Sequence, residues 1–158
     1  MISAHRARRL ALQGLCCLDV QGERARDLVG AFLDDSQESP QTPAAARELL
    51  AAAWADRPAI DELLARHARN WELSRLALVD RNIHRLAACE LRAARTPHRI
   101  VISEALKLAQ EFSTSESPRF VNGVLDAVAR QISRDAGDAG DKKKLEEKKQ
   151  KEKEETER

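Results

Sequence analysis

The sequence predicts an all-α fold, and three observations support that prediction. Alanine and leucine supply most of the apolar residues, which make up 42% of the 158-residue chain. Aromatic residues are scarce at 3%, and the β-branched runs that indicate strands are nearly absent. Apolar residues also recur at three- and four-residue spacing along most of the chain, as the buried face of an amphipathic helix requires.

The first half of the chain contains four predicted helices, over 3–20, over 22–34, from 42 onward and over 58–69. The polar stretch 35–42 includes Pro40 and predicts a loop. Thr42 and Pro43 provide a cap and a first-turn proline for the third helix. Pro58 is expected to kink or end that helix, because proline removes an internal hydrogen bond.

A helical hairpin dominates the second half of the chain. Two apolar stripes lie within 97–132, and the polar hinge 113–118 separates them. Ser117 is expected to cap the second helix, with Pro118 at its first position, where the missing N–H is no loss. Before the hairpin, the segment 71–95 has the most regular apolar pattern in the chain and predicts its strongest helix.

The C-terminal segment differs in composition from the rest. Positions 134–158 hold nine basic and nine acidic residues, and Leu145 is their only large apolar side chain. Such a segment cannot bury a face, so it is interpreted as a disordered or solvent-exposed, partly helical tail. The predicted organisation is one helical domain over 1–133 and a charged tail over 134–158.

The sequence lacks the usual signatures of catalysis. It contains no phosphate-binding or dinucleotide-binding glycine motif, no zinc-protease histidine pair and no nucleophile elbow. Its histidines and cysteines lack metal-ligand spacing, so we expect neither a metal nor another cofactor. Glu90 and Glu104 are interpreted as caps or ion-pair partners rather than acids or bases. Together with the missing motifs, this predicts a protein without enzymatic activity. The cysteine usage and the absence of a membrane span or signal peptide predict a cytoplasmic protein.

Two clusters of residues suggest binding of RNA. The net charge is only +1, so a nucleic-acid site would have to be a local patch. Arg6, Arg8 and Arg9 crowd the start of the first helix, where positive charge opposes the helix macrodipole. Arg119 and Phe120 stand together at the start of the last helix. A site for single-stranded RNA requires positive charge for the phosphates and an aromatic ring on which a base can stack. The same arginines are also consistent with a solvent-exposed face that binds no RNA.

Short motifs also occur in a particular order along the chain. They are Arg6-Ala7-Arg8, Ala11-x-Gln13-x-Leu15, Val79-Asp80-Arg81, Arg85-Leu86-Ala87, Glu90-Leu91, Pro97, Ile102-x-Glu104-Ala105 and Phe120-Val121-Asn122-Gly123-Val124-Leu125-Asp126. This order resembles the NusB family of transcription antitermination factors. The likeness covers roughly positions 4–132, its last motif is the most specific, and the charged tail lies outside it.

The resemblance implies a single domain of two packed helical subdomains without catalysis. It also implies binding of the boxA RNA element together with ribosomal protein NusE, as part of a transcription elongation complex. The RNA-binding residues that it implies are Arg6, Arg8, Gln13, Glu116 and Phe120, and the NusE-binding residues are Asp80, Arg81 and His84. With Arg9, Arg119 and Asn122, we expect the first helix and the turn 116–122 to form one continuous RNA face.

The chain departs from the family pattern at three positions. Cys16 stands where an aromatic residue is usual, so a stacking platform is missing. Ser103 replaces a common asparagine, and His5 replaces one of the usual arginines, which reduces the fixed charge at neutral pH. RNA affinity is therefore expected to depend more on NusE.

Two alternatives remain open from the sequence. The helical domain also resembles the N-terminal module of some rRNA cytosine methyltransferases, but no residues here could form a cofactor-binding domain. The other alternative is a protein-interaction module whose arginines are simply solvated.

Overall fold

Helices make up nearly all of the described chain, which in the computed structural model comprises residues 4–68 and 75–156. The seven α-helices in these two ranges are α1 (Ala4–Gln21), α2 (Arg26–Asp34), α3 (Gln41–Ala55), α4 (Arg57–His67), α5 (Leu78–Ala93), α6 (His98–Phe112) and α7 (Ser117–Thr156). A short 3-10 helix, Glu23–Ala25, precedes α2. No strand occurs in either range, so the all-α prediction is confirmed.

Helix α1 packs closely along α3. The predicted stripe of α1, which includes Ala11 and Leu15, is buried as expected. Gly14 allows the close approach, because a Cβ there would come within 2.9 Å of Leu50 Cδ2 and 3.0 Å of Val29 Cγ1. Helix α2 covers the other side of this pair, so α1–α3 form one packed group.

Helix α5 is the centre of the domain. It contacts α1 and α3 of one group of helices and α4, α6 and α7 of the other. Every residue from 82 to 89 is buried, so this stretch is surrounded on all faces rather than amphipathic. The two groups of helices are packed into a single domain through this shared helix.

The helix ends differ from expectation at several positions. Helix α3 begins at Gln41, and Thr42 is buried in its first turn instead of capping it. The predicted break at Pro58 is confirmed, since α3 ends at Ala55 and α4 begins at Arg57. Helix α5 begins at Leu78 rather than at position 71, and positions 71–74 of the predicted helix lie outside the described residues.

The charged tail continues α7 to Thr156 without a break. Every residue from Ser133 to Thr156 is exposed, so this part of the helix buries none of its side chains against the described residues. In the two described ranges, no helix has the length and apolar character that crossing a bilayer demands.

Candidate nucleic-acid interface

The residues at the start of α1 point in different directions. Successive residues of a helix are rotated by about 100°, so His5, Arg9 and Gln13 share one face. Arg6 lies at the edge of this face beside Gln13, about 20° further around the helix. Arg8 lies about 160° around the helix from Arg6 and is directed toward α5. The predicted arginine cluster is therefore divided between solvent and the interior.

The exposed face of α1 is tied to the last turns of α6. The two ring nitrogens of His5 lie 2.6 Å from Glu104 Oε2 and 2.6 Å from Glu111 Oε1. Arg9 Nε lies 3.1 Å from the other oxygen of Glu111, and its guanidinium sits 5.5 Å from the centre of the Phe112 ring. Because Phe112 is the last residue of α6, these contacts place Arg9 beside the hinge.

These contacts leave the arginines of this face accessible. The side chain of Arg9 remains 45% exposed, and that of Arg6 remains 60% exposed although it pairs with Glu38 at 3.1 Å. Gln13 is also exposed, one turn further along α1. A phosphate could therefore approach both guanidinium groups from solvent.

Arg8 is a structural residue in this fold. Its Nε and Nη2 donate to the two carboxylate oxygens of Glu90 at 2.9 and 2.7 Å, and its side chain is only 7% exposed. Burial alone would lower the pKa of the Arg8 guanidinium, but the Glu90 carboxylate raises it above its ordinary value. The prediction that Arg8 contacts RNA is corrected, because its charged group is directed into the α1–α5 contact.

Glu90 and Glu104 are confirmed as ion-pair partners. Glu90 pairs with Arg8, while Glu104 accepts hydrogen bonds from His5 and from Lys107 at 3.0 Å. Burial alone would raise the pKa of the Glu104 carboxyl, but Lys107 and His5 lower it below its ordinary value. Glu104 is therefore held as an anion that anchors the start of α1.

The hinge is fixed to α5 by hydroxyl groups. Ser113 Oγ donates to Asp80 Oδ1 at 2.6 Å, and Ser117 Oγ donates to Asp80 Oδ2 at 3.1 Å. The two hydroxyl oxygens lie 2.8 Å apart, and Ser117 is 5% exposed. Asp80 thus holds both ends of the hinge, so Ser117 secures the hinge to α5 in addition to starting α7.

The predicted hinge residues lie on the surface. Glu116, Arg119 and Asn122 are exposed, and Phe120 is 40% exposed. Arg119 and Phe120 line an open depression together with His67 at the end of α4. The inner edge of Phe120 meets the His84 ring in a T-shaped contact with 5.2 Å between ring centroids. Phe120 is therefore half core and half surface.

The residues predicted to bind NusE are largely engaged within the domain. Asp80 holds the hinge, and Arg81 donates to Asp19 through Nε at 2.8 Å. His84 has no exposed surface, and its Nδ1–H donates to the Asp80 carbonyl oxygen at 2.7 Å. The prediction that His84 contacts a partner is corrected, because the surrounding helices cover its ring. Burial lowers the pKa of His84 to about 4.

A partly buried charge network beneath this surface was not among the sequence-based predictions. Asp19 on α1 accepts from Arg81 and Asn82, and it lies 3.1 Å from Arg85 Nη1. Arg85 also donates to both carboxylate oxygens of Asp61 on α4, at 2.7 and 2.8 Å. The network joins α1, α4 and α5. A signal existed in the sequence, since Asp19 is the only acid in α1.

Neither Cys16 nor Cys89 has an activated thiolate. Burial, followed by the nearby Asp19 charge, raises the pKa of the Cys16 thiol to about 11. Burial likewise raises the pKa of Cys89. Both thiols therefore stay protonated at neutral pH, as expected for packing residues.

Comparison with known proteins finds relatives that match most of the chain. The family model described as "NusB family" matches residues 5–130. A transcription antitermination protein NusB from Solibacter usitatus is 40% identical over 134 residues, covering 84% of this chain and 92% of the relative. The protein of the same name from Symbiobacterium thermophilum is 37% identical, covering 86% of this chain and 95% of the relative.

Solved structures agree with these sequence relatives. NusB of T. maritima superimposes with a TM-score of 0.74 at 29% identity, covering 82% of this chain and 93% of that one. A structure of antitermination factors NusB and NusE in complex with dsRNA gives a TM-score of 0.73 at 25% identity, covering 80% and 96% of the two chains.

Proposed function

The chain belongs to the NusB family of transcription antitermination factors, and from that premise we propose that it binds boxA-type single-stranded RNA together with ribosomal protein NusE during rRNA transcription. It is a binding factor and not an enzyme. Its RNA complex would join the transcription elongation complex, which places its action in the cytoplasm. A related structure that holds NusB and NusE with dsRNA supports both kinds of partner.

One observation supports the RNA site above all others. The contacts of Arg9 with Glu111 and Phe112 bring the exposed face of α1 against the hinge, although both partners lie more than 100 positions from Arg9 in the sequence. Arg6 and Arg9 supply positive charge, and Gln13 adds a polar side chain that can hydrogen bond to RNA. On the hinge side, Glu116, Arg119, Phe120 and Asn122 complete the proposed face. The exposed part of the Phe120 ring would stack on a base.

Asp80 and Arg81 enter this proposal as positioning residues. Asp80 fixes the hinge and Arg81 fixes the C-terminal end of α1, so both would shape the surface that NusE meets. Arg8 has a similar role at the start of α1 through Glu90.

A titration of RNA affinity against salt tests the RNA face directly. For single-stranded RNA, log K should fall against log salt with a slope of about −0.7 for each neutralised phosphate. We expect Arg6→Ala and Arg9→Ala each to flatten the slope by about 0.7, because each removes one phosphate contact. Arg26→Ala is the matched control, since Arg26 is also an exposed arginine paired with a glutamate, but it lies on α2. Equal slopes for all three variants would contradict the proposed RNA face.

A protein-interaction module without RNA binding is the competing function. It is favoured by the fact that Arg6 and Arg9 already pair with Glu38 and Glu111. In that case NusE would still bind, but the complex would gain no salt-dependent affinity for RNA. The same titration, run with NusE present, therefore distinguishes the two functions.

A further inference from the structure

A second group of arginines projects from the turn between α5 and α6. Arg92, Arg95 and Arg99 are all exposed, and among the described residues none of the three guanidinium groups has a hydrogen bond or an ion pair. Most other arginines among the described residues do have an acidic partner, as Arg6, Arg9 and Arg26 show. We call Arg92, Arg95 and Arg99 the arginine corner.

The turn itself explains why these side chains are exposed. Helix α5 ends where Ala94 adopts a left-handed conformation with φ of 53°, and α6 begins four residues later at His98. The chain therefore reverses direction within a few residues, and Arg95 lies at the apex. Three positive charges within eight residues repel one another, so the arrangement costs stability unless an anion approaches.

The arginine corner borders a groove against α7. Two adjoining depressions share His98, Ala129 and Ser133; one is also lined by Arg95 and the other by Arg134. Asp126, the acid in this groove, is already paired with Arg130. The groove therefore has a net positive charge.

The arginine corner also adjoins the proposed RNA face. Arg95 lines a further depression together with Ala4, the first described residue of α1, and with Glu48 on α3. From there α1 runs past Arg6 and Arg9 toward the hinge. The corner and the hinge lie at opposite ends of α6, whose 15 residues span about 21 Å. Helix α1 thus connects the arginine corner with the hinge.

We propose that the arginine corner is a second RNA site, which holds the phosphates of nucleotides flanking the boxA-type element. This inference rests on the proposed function, because the corner would act on RNA already held by α1 and the hinge. Planar guanidinium groups suit phosphate oxygens, and contacts to phosphates add affinity without adding sequence preference. The flank therefore binds whatever its sequence.

The test compares two RNAs in the presence of NusE. One is the minimal boxA-type element. The other is the same element with an added single-stranded flank long enough to span α6. The flank is placed 5′ of the element in one experiment and 3′ of it in another. The corner variant carries both Arg95→Gln and Arg99→Gln. The charge-matched control carries both Arg24→Gln and Arg26→Gln, which replace two exposed arginines near α2. Urea unfolding confirms that each variant is folded.

We expect the wild type to bind one flanked RNA more tightly than the minimal RNA and with a steeper salt dependence. For the flanked RNA, the corner variant should flatten the slope of log K against log salt by about 1.4, because it removes two phosphate contacts. Between 50 and 200 mM salt, its affinity should therefore fall by a factor about seven times smaller than that of the wild type. Its affinity for the minimal RNA should not change, and the control should behave as the wild type.

The outcomes separate the two proposals. If the minimal RNA binds but neither flank adds affinity, or if the corner variant keeps the full gain, the second site is wrong and the proposed function stands. If the minimal RNA binds no better than a scrambled one, the proposed function fails, and the second site fails with it.

Discussion

Asp19→Ala is expected to lower the free energy of unfolding by about 3 kcal/mol, because it removes the shared anion of a partly buried ion network. The Asp19 side chain is 15% exposed, and those of Arg81 and Arg85 are 18% and 8% exposed. Without Asp19, these two guanidinium groups lose an anion that water cannot fully replace. The expected cost is at the low end of the range for buried pairs, since Arg85 keeps Asp61.

Urea unfolding of the wild type and the variant measures this effect. Asp126→Ala is the control, because Asp126 also pairs with an arginine but its side chain is 48% exposed. The control should cost less than about 1 kcal/mol, as exposed pairs do. An Asp19→Ala variant that is no less stable than Asp126→Ala would show that the network contributes nothing.

Acid should destabilise the protein through His84. Its pKa of about 4 in the folded state lies below the ordinary value of 6.5, because burial opposes the charged form. The unfolded chain therefore binds a proton at higher pH than the folded one. Stability from this group is complete above pH 6.5 and is lost as the pH falls toward 4. Between pH 7 and pH 5 the expected loss is about 2 kcal/mol.

The variant His84→Gln isolates this contribution. Glutamine does not titrate, so the variant should lose about 2 kcal/mol less than the wild type over the same pH interval, whatever its stability at pH 7. His98→Gln, at an exposed histidine, controls for removal of an imidazole. Parallel pH profiles for wild type and His84→Gln, measured by urea unfolding, would show that His84 is not the cause. Burial alone would raise the pKa of Asp19, but hydrogen bonds from Asn82 and Arg81 lower it below its ordinary value. Protonation of Asp19 therefore reduces the stability of the fold only at more acidic pH.

The helices and their apolar faces could be predicted because their signals are local. Spacing in the sequence was sufficient to place Leu15 and Leu18 in the core and to divide the hairpin at the polar hinge. Helix ends were less predictable. Thr42 has the right chemistry for a cap, but the chain enters α3 one residue earlier and buries it.

The inward-facing polar residues could not be predicted in the same way. Glu90, which pairs with Arg8, lies 82 residues away in the sequence, and Asp61, which pairs with Arg85, lies 24 residues away. A pattern of charges cannot show which arginine meets such a partner. For Arg8 the spacing to Ala11 and Leu15 did contain a warning, since all three fall near one face. For His84 the sequence contained no such warning. Residues 82–89 of α5 are buried on every side, so the spacing of apolar residues does not show which polar side chains lie inside.

The prediction of an RNA face therefore changes in detail. The family resemblance located α1 and the hinge, and the structure brings Arg9 and Phe112 together at their junction. Arg8 and His84 become structural, whereas His5 and Glu111 join the surface as residues that hold α1 against α6.

The affinity of the chain for boxA RNA, measured against a scrambled RNA of the same composition with NusE present, decides whether the chain recognises this RNA element. We expect the boxA RNA to bind at least about tenfold more tightly, a difference of about 1.4 kcal/mol. Fluorescence anisotropy at fixed salt provides the comparison. Equal affinities for the two RNAs would contradict the account.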